Sequence, residues 1–360
     1  MSRALRVRLL VTLGPILVGL VAVVALGLGG AAGGESSTVH GPSTVDSSPP
    51  TSSGESSTVR QSPTVDTSPP SRAATLPGGG RGVFDGNRFL VAYYGTAGSG
   101  ALGVLGEGRP DRMDARLTRA ARPFRSRHQP VQKVYELIVT VADAHPGKDG
   151  DGNHDISRRQ VRDYIAAAHR HGALVVLDLQ PGHADFLSVA RRWSWALRDP
   201  WVGLALDPEW RMARGGVPGR RIGTVGAGEV NRVTAWLSRL VAQRRLPEKL
   251  LVLHQFRRDM VVHPERIARR RGLAMVQHVD GYGTPQQKRA TYAAVARPKE
   301  FTMGFKLFYD EDVHRMSARA VQRLRPSVKA PSSPIGFGCA FMGRGSVERK
   351  AKMLVMIMPP

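Results

Sequence analysis

Seven short apolar segments, each followed by a longer amphipathic segment, dominate residues 87–326. The short segments are rich in Val, Ile, Leu and aromatic residues, which is typical of buried β-strands. Strands that alternate with helices predict a parallel sheet, because parallel neighbours need a crossover connection. The predicted strands are FLVAYYG (89–95), VYELIVTVA (134–142), ALVVLDLQ (173–180), VGLALDPEW (202–210), KLLVLHQF (249–256), LAMVQHVDGYG (273–283) and FTMGFKLFYDED (301–312).

Helix candidates fill the spaces between these strands. The second has clear boundaries, because Ser157 and Gln160 form a capping-box pattern and Gly172 suits the position after a helix end. The candidates lie near residues 112–123, 157–171, 184–197, 227–244, 259–270, 285–296 and 317–324.

Two architectures fit this alternation, a (β/α)8 TIM-like barrel and an open doubly wound sheet. No G-x-G-x-x-G motif follows the first strand, which weakens a dinucleotide-binding interpretation. Polar residues recur at the C-terminal ends of many strands, as on the active-site rim of a barrel, whereas an open sheet concentrates function at one switch point. We therefore predict a TIM-barrel-like domain over residues 83–328. The eighth strand is not assigned, because the atypical C-terminal tail (329–360) offers only IGFGCAFM (335–342) and MLVMIMPP (353–360).

The N-terminal part of the chain has a different composition. Residues 1–34 combine an Arg-containing start with a long uncharged apolar run, which predicts a signal peptide or a membrane anchor. Residues 35–82 form a Ser/Thr/Pro-rich linker in which residues 34–53 are repeated as residues 54–73, and such a composition predicts a disordered stalk. The protein is therefore expected to be secreted or anchored to the outer face of the cytoplasmic membrane.

Charge, cysteine content and motifs argue against a nucleic acid partner, a disulfide and a bound metal. The net charge is +23, but the basic run RIARRRG (266–272) lacks interleaved aromatic residues, so we expect no nucleic acid partner. Cys339 is the only cysteine, which excludes an intrachain disulfide and cysteine-based zinc sites. The loop KDGDGNHDIS (148–157) resembles a calcium loop but has His154 and Gln160 where that loop needs Gly and Glu. We expect a monomer with no metal and no cofactor.

The segment VGLALDPEW ends in two carboxylates. If the strand continues to its end, Gly203, Ala205, Asp207 and Glu209 share one face, and the two acids stand at the rim facing the barrel axis. Paired acids at a barrel mouth fit glycoside hydrolysis, in which one carboxyl group must be protonated. They also fit substrate-assisted chemistry, with Glu209 as acid and Asp207 orienting an acetamido group. A metal site, and rim carboxylates paired with Arg, are the alternatives.

The same segment resembles the fourth-strand signature of family 18 chitinase-like barrels, D-G-x-D-x-D-x-E. Gly203, Asp207 and Glu209 occupy its Gly, last Asp and Glu positions, whereas Val202 and Ala205 replace its first two Asp residues. Residues 87–326 also resemble the uncharacterised secreted glycoside-hydrolase-like barrels of actinobacteria. These resemblances imply a TIM-barrel fold and a polysaccharide substrate.

Six further residues at predicted strand ends are candidate substrate-binding groups. An inward Lys306 needs an acidic partner, for which Asp207 and Glu209 are candidates, and Tyr282 lies on a Gly-flanked turn that suits sugar contact. The sequence thus predicts an exported glycoside-hydrolase-like protein that acts on a polysaccharide or cell-envelope glycan. The alternative is a non-catalytic glycan-binding or cell-envelope scaffold module. The six candidates are Tyr94, Asp178, His254, Asp280, Tyr282 and Lys306.

Overall fold

The computed structural model describes residues 74–324 and the backbone of residues 338–340, 344–345 and 351–358. The predicted signal peptide or anchor, both repeats of the linker and most of the C-terminal tail lie outside the described residues. Within the described residues, no helix has both the length and the apolar character needed to cross a membrane.

Seven parallel strands form the centre of the fold, and each pairs with the next in chain order. They curl into a TIM-barrel-like sheet flanked by helices, which confirms the predicted fold class. The strands are β1 (Phe89–Thr96), β2 (Val131–Ala142), β3 (Leu174–Leu179), β4 (Val202–Leu206), β5 (Lys249–Gln255), β6 (Leu273–Val279) and β7 (Thr302–Phe308).

Six α-helices accompany these strands among the described residues. The second helix begins at the capping box of Ser157 and Gln160 and ends at Gly172, whose φ of 64° lies in the left-handed region, as the sequence predicts. The helices are α1 (Pro110–Ala121), α2 (Arg158–His171), α3 (Phe186–Arg192), α4 (Ala227–Gln243), α5 (Pro285–Val295) and α6 (Ala318–Gln322).

The predicted helix at 259–270 is wrong. The segment holds the end of a 3-10 helix, Arg258–Met260, then a two-residue strand, Val261–Val262, which pairs with Val225–Gly226, and then a second 3-10 helix at Pro264–Arg266. Pro264 disfavours a helical conformation at the preceding residue, and His263 adopts a left-handed φ of 56°. The proline therefore stops a helix that the spacing of apolar and basic residues suggests.

The two faces of β4 show how the strands divide the core. Val202, Leu204 and Leu206 belong to the outer apolar cluster under the helices, whereas Ala205 belongs to the inner cluster inside the barrel. A Cβ atom at Gly203 would lie 2.3 Å from the carbonyl oxygen of Leu250 on β5. The glycine therefore permits a close approach of the two strands.

The backbone of the C-terminal tail adds strands beside β7 and β1. Strand β8 (Gly338–Ala340) runs parallel to β1, and β9 (Arg344–Gly345) pairs with β10 (Ala351–Met358). Strand β10 runs antiparallel to both β7 and β1. The position that a parallel eighth strand holds in a (β/α)8 barrel is thus taken by an antiparallel strand.

Residues 74–82, which the sequence places in the linker, contact the barrel. Leu76 is buried in the inner apolar cluster together with Val83. The guanidinium of Arg81 donates to the backbone carbonyls of Arg245 and Leu246. Ordered packing therefore extends before residue 83.

Candidate functional site

Polar side chains replace apolar ones inside the barrel towards the C-terminal ends of the strands. We call this group the central cluster. All its members are buried except Glu209, which is partly exposed. They come from all seven strands or from the turns that follow, so the curling of the sheet brings them together. The central cluster consists of Tyr94, Glu136, Asp178, Asp207, Glu209, His254, His278, Asp280 and Lys306.

His254, on β5, connects two carboxylates of the central cluster. Its Nε2 atom lies 3.0 Å from Oε1 of Glu136, and its Nδ1 atom lies 3.0 Å from Oδ2 of Asp280. Burial alone lowers the pKa of His254, but the charges of Glu136 and Asp207 outweigh burial and raise it well above the usual range. The imidazole therefore holds a proton readily between the two acids.

His278 neighbours His254 in the register of β5 and β6, with the two Nδ1 atoms 3.0 Å apart. Burial, followed by the charge of His254, lowers the pKa of His278 well below its usual range. A neutral His278 is the form that can lie against a protonated His254.

Tyr94 and Asp178 form a hydrogen bond across the barrel interior. The phenolic hydroxyl of Tyr94 donates to Oδ2 of Asp178 over 2.8 Å. The Oδ1 atom of Asp178 is buried and has no hydrogen-bond partner among the described residues. Burial, then the neighbouring charge of Asp207, raises the pKa of Asp178 to about 8.

Lys306 lies opposite these acids on β7. Its Nζ atom is 3.5 Å from Oδ2 of Asp280 and 4.2 Å from the centre of the Tyr94 ring. Burial acts to raise the pKa of Asp280, but the charges of Lys306 and His254 outweigh it and lower that pKa. The ion pair of Lys306 is therefore with Asp280, and not with Asp207 or Glu209 as considered from the sequence.

Asp207 and Glu209 come together through a turn, because β4 ends at Leu206 and Pro208–Trp210 forms a 3-10 helix. Strand alternation therefore does not explain their pairing. Burial raises the pKa of Asp207 to about 6, against the opposing charges of His254 and Lys306. Burial, then the charges of Asp207 and Asp280, raises the pKa of Glu209 well above the usual range.

Glu209 differs from the other acids in its surroundings. Its side chain makes no hydrogen bond or ion pair within residues 74–324. The turn that carries it is fixed through the backbone, because the amide of Gly223 donates to the Glu209 carbonyl over 2.6 Å. A Cβ at Gly223 would lie 2.5 Å from two carbonyl oxygens, so only glycine permits this approach.

Tyr282 differs from the buried acids in its exposure. Its side chain is 56% exposed, and its ring packs edge-on against Phe308 with the centroids 5.7 Å apart. The turn that carries it is held by Lys288, which donates to the Gly281 carbonyl and pairs with Asp312 at 2.9 Å. Tyr282 is therefore available for contact at the protein surface.

Sequence reasoning did not single out Glu136, although it is fully buried in the centre of the site. The available signal was a carboxylate in the middle of the apolar segment VYELIVTVA. Val134 and Ile138, two residues away on either side, line the barrel interior, so Glu136 shares their inward face.

Two groups of side chains within the central cluster have the composition and spacing of metal ligands. One consists of Glu136, Asp178 and His254, and the other consists of His254, His278 and Asp280. In each group the potential ligand atoms lie within 4.8 Å of one another.

The fold and the site define a TIM-barrel-like α/β protein with a buried, carboxylate-rich centre. No protein-family profile matches the chain, and no curated protein sequence matches it. One similar solved structure is the spore cortex-lytic enzyme SleL of Bacillus megaterium QM B1551, with 9% sequence identity and a TM-score of 0.29. The similarity covers 75% of this chain and 65% of that chain, so the chain spans less than two thirds of that enzyme's length.

Proposed function

We propose that the protein is an exported glycoside-hydrolase-like enzyme that acts on a polysaccharide by carboxylate acid/base catalysis. The observation that carries this proposal is the state of Glu209. Its carboxyl group is partly exposed, it lacks an ion pair within the described residues, and its pKa is raised by burial and by Asp207. A carboxyl group that keeps its proton near neutral pH can protonate the leaving oxygen of a glycosidic bond.

Asp207 is the partner of Glu209 in this proposal. Its pKa of about 6 leaves it charged at neutral pH, and after burial its charge is the largest cause that raises the pKa of Glu209. A charged acid that helps its neighbour to keep a proton suits the division into a charged partner and a proton donor. The charge of Asp207 would stabilise the positive charge that develops at the sugar, or orient an acetamido group of the substrate.

The remaining candidate residues take different roles according to their exposure. Tyr282 is exposed on a turn that Lys288 holds in place, and its ring could stack against a sugar. Tyr94, Asp178, His254, Asp280 and Lys306 are buried beneath the acid pair, where they set its charge and position. We assign the substrate to a cell-envelope or other extracellular glycan, because the basic and apolar N-terminus predicts export.

A non-catalytic glycan-binding or scaffold module is the second candidate. The observation that favours it is the burial of the acid partner, because Asp207 is only 2% exposed. A substrate could reach Glu209 and Tyr282 without reaching Asp207, and such a surface would bind a glycan without cleaving it.

Reducing-sugar release by the full chain on a panel of bacterial, fungal and plant glycans tests the proposal. We expect the wild type to release reducing sugar and Glu209→Gln to release none. The control Glu265→Gln, at an exposed carboxylate, should release as much as the wild type. Glycan binding without release, by protein shown to be folded, would overturn the catalytic proposal and support the binding module. Release that survives in Glu209→Gln would refute the role of Glu209.

A further inference from the structure

We infer that Glu136, Asp178 and His254 form a binding site for one divalent metal ion of the zinc type. The inference is independent of the proposed glycan activity, and it departs from the sequence-based expectation of no metal. It depends on the positions of three donor atoms, on the groups that hold them and on the balance of charge around them.

The three donor atoms are Nε2 of His254, Oε1 of Glu136 and Oδ1 of Asp178. Nε2 lies 3.0 Å from Oε1 and 4.0 Å from Oδ1. Ligands about 2.1 Å from one tetrahedral ion lie about 3.4 Å apart, between the two spacings found here. The spacing therefore fits a common centre after small rotations of the side chains.

Each of two ligands is oriented by a neighbour through its other polar atom. The Nδ1 atom of His254 faces Oδ2 of Asp280 at 3.0 Å, which leaves Nε2 directed at Glu136 and Asp178. The hydroxyl of Tyr94 donates a hydrogen bond to Oδ2 of Asp178, which leaves Oδ1 free to bind a metal ion. Metal-binding histidines usually donate their other ring nitrogen to a carboxylate or a carbonyl group. Metal-binding carboxylates usually accept a hydrogen bond as well.

Two donor groups also carry oxygens with no hydrogen-bond partner among the described residues. These are Oδ1 of Asp178 and Oε2 of Glu136, both on side chains that are fully buried. A buried carboxylate oxygen without a partner is destabilising, because water no longer solvates it. A cation bound to Oδ1 of Asp178 would supply the missing interaction of that oxygen, and its charge would also stabilise the Glu136 carboxylate that carries Oε2.

The charges of the central cluster favour a cation as the ligand. Five carboxylates come together in the central cluster, whereas its basic side chains among residues 74–324 are three, His254, His278 and Lys306. Mixed imidazole and carboxylate ligands suit Zn²⁺ among the common divalent ions, while Mg²⁺ and Ca²⁺ prefer oxygen alone. A histidine ligand binds a metal through an unprotonated nitrogen, so any proton on Nε2 would be displaced by the ion and released to water. The five acids are Glu136, Asp178, Asp207, Glu209 and Asp280.

Zinc binding by the full chain, freed of metal with a chelator and carrying no histidine tag, tests the inference. Isothermal titration with Zn²⁺ and elemental analysis after dialysis should both give about one tightly bound ion per chain. Glu136→Gln and Asp178→Asn should each weaken binding by more than about 100-fold, and Asp280→Asn by about 10- to 100-fold. Zn²⁺ should also raise the unfolding temperature of the wild type and not that of Glu136→Gln.

Exposed histidines provide the matched control, because His154 lies 2.8 Å from Asp143 at the surface and offers an adventitious zinc site. His154→Gln should leave the tight binding unchanged. If the two ligand variants fail to fold, Tyr94→Phe removes only the supporting hydroxyl and should still weaken binding. The inference would be overturned if the wild type bound no zinc tightly. It would also be overturned if tight binding were lost in His154→Gln and kept in Glu136→Gln and Asp178→Asn.

Discussion

The Nε2 atom of His254 lies 3.0 Å from the Oε1 atom of Glu136, and both side chains are fully buried although 118 positions separate them. Removing charged groups from water costs several kcal/mol for each ion, which a single contact rarely offsets. The apolar packing of the barrel must therefore hold this pair in place. A centre of buried ionisable groups of this kind is typical of a functional site rather than of a core selected for stability.

The buried acids predict a specific dependence of stability on pH. The pKa of Asp178 is raised to about 8 and that of Asp207 to about 6, so both bind protons more tightly in the folded chain than in the unfolded chain. The stabilisation from such a group is present at low pH and is lost as pH rises through its folded-state pKa. We therefore expect the contribution of these two acids to the free energy of unfolding to fall between about pH 4 and about pH 8.

Urea unfolding followed by circular dichroism, in the presence of a chelator, measures this dependence. Asp178→Asn should reduce the slope by up to about 1.4 kcal/mol per pH unit, the largest effect of one titrating group. Asp111→Asn is the control, because the pKa of this exposed acid is lowered by hydrogen bonds from Arg170 and His171 and lies below the tested range. A slope that is the same in Asp178→Asn and the wild type would contradict the prediction.

Removal of Lys306 should strongly destabilise the fold. Its ammonium group contacts Asp280, and its charge also acts on Asp207 and Glu209. Lys306→Met keeps much of the apolar stem and deletes the charge, so the acids lose their partner inside the barrel. Loss of one partner of a buried pair costs about 3–5 kcal/mol.

Chemical denaturation of Lys306→Met and of the exposed-lysine control Lys299→Met measures this cost. The control should change the free energy of unfolding by less than about 0.5 kcal/mol. Equal stabilities of the two variants would show that Lys306 does not compensate the buried acids.

Local patterns were sufficient to predict the seven parallel strands and most helices. The second helix illustrates why, because its capping box and its terminal Gly172 are formed by neighbours in the sequence. The failed helix at 259–270 contains a signal that outweighs periodicity, since Pro264 restricts the conformation of His263. Where two local rules conflict, the stereochemical restriction decides.

The contacts of the central cluster were much less predictable. Tyr94 and Asp178 lie on strands that are not adjacent, so their hydrogen bond depends on how the sheet curls. Lys306 had several candidate partners in the sequence, and only the three-dimensional arrangement selects Asp280. Glu136 lies in an apolar segment and was not predicted as a site residue. Periodicity identifies the inward face of a strand, but it does not show whether a charged residue on that face has a function.

The coupling between Asp207 and Glu209 predicts a shift in proton affinity. After burial, the charge of Asp207 is the strongest influence that raises the pKa of Glu209. Asp207→Asn removes this repulsion, so the pKa of Glu209 should fall by about one unit or more. If Glu209 is the catalytic acid, the loss of activity at high pH should move to lower pH by the same amount.

Carbon-13 NMR of protein labelled at glutamate carboxyl groups measures this shift without any assay of activity. The Glu209 resonance is assigned by its disappearance in Glu209→Gln. Asp259→Asn, at an exposed acid paired with Arg257, should leave the resonance unchanged. A Glu209 pKa that stays the same or rises in Asp207→Asn would show that the two carboxylates do not interact as the structure indicates.

Two glycines provide a matched test of the barrel that carries the site. A Cβ at Gly203 would lie 2.3 Å from the carbonyl oxygen of Leu250, whereas one at Gly228, in helix α4, meets no atom within 4 Å. Gly203→Ala forces β4 and β5 apart and should cost about 1–3 kcal/mol or more. Gly228→Ala should be neutral or stabilising by up to about 1 kcal/mol, because alanine favours the helix. Urea unfolding of both variants measures the difference, and a Gly203→Ala protein as stable as the wild type would show that the strands are not so closely packed.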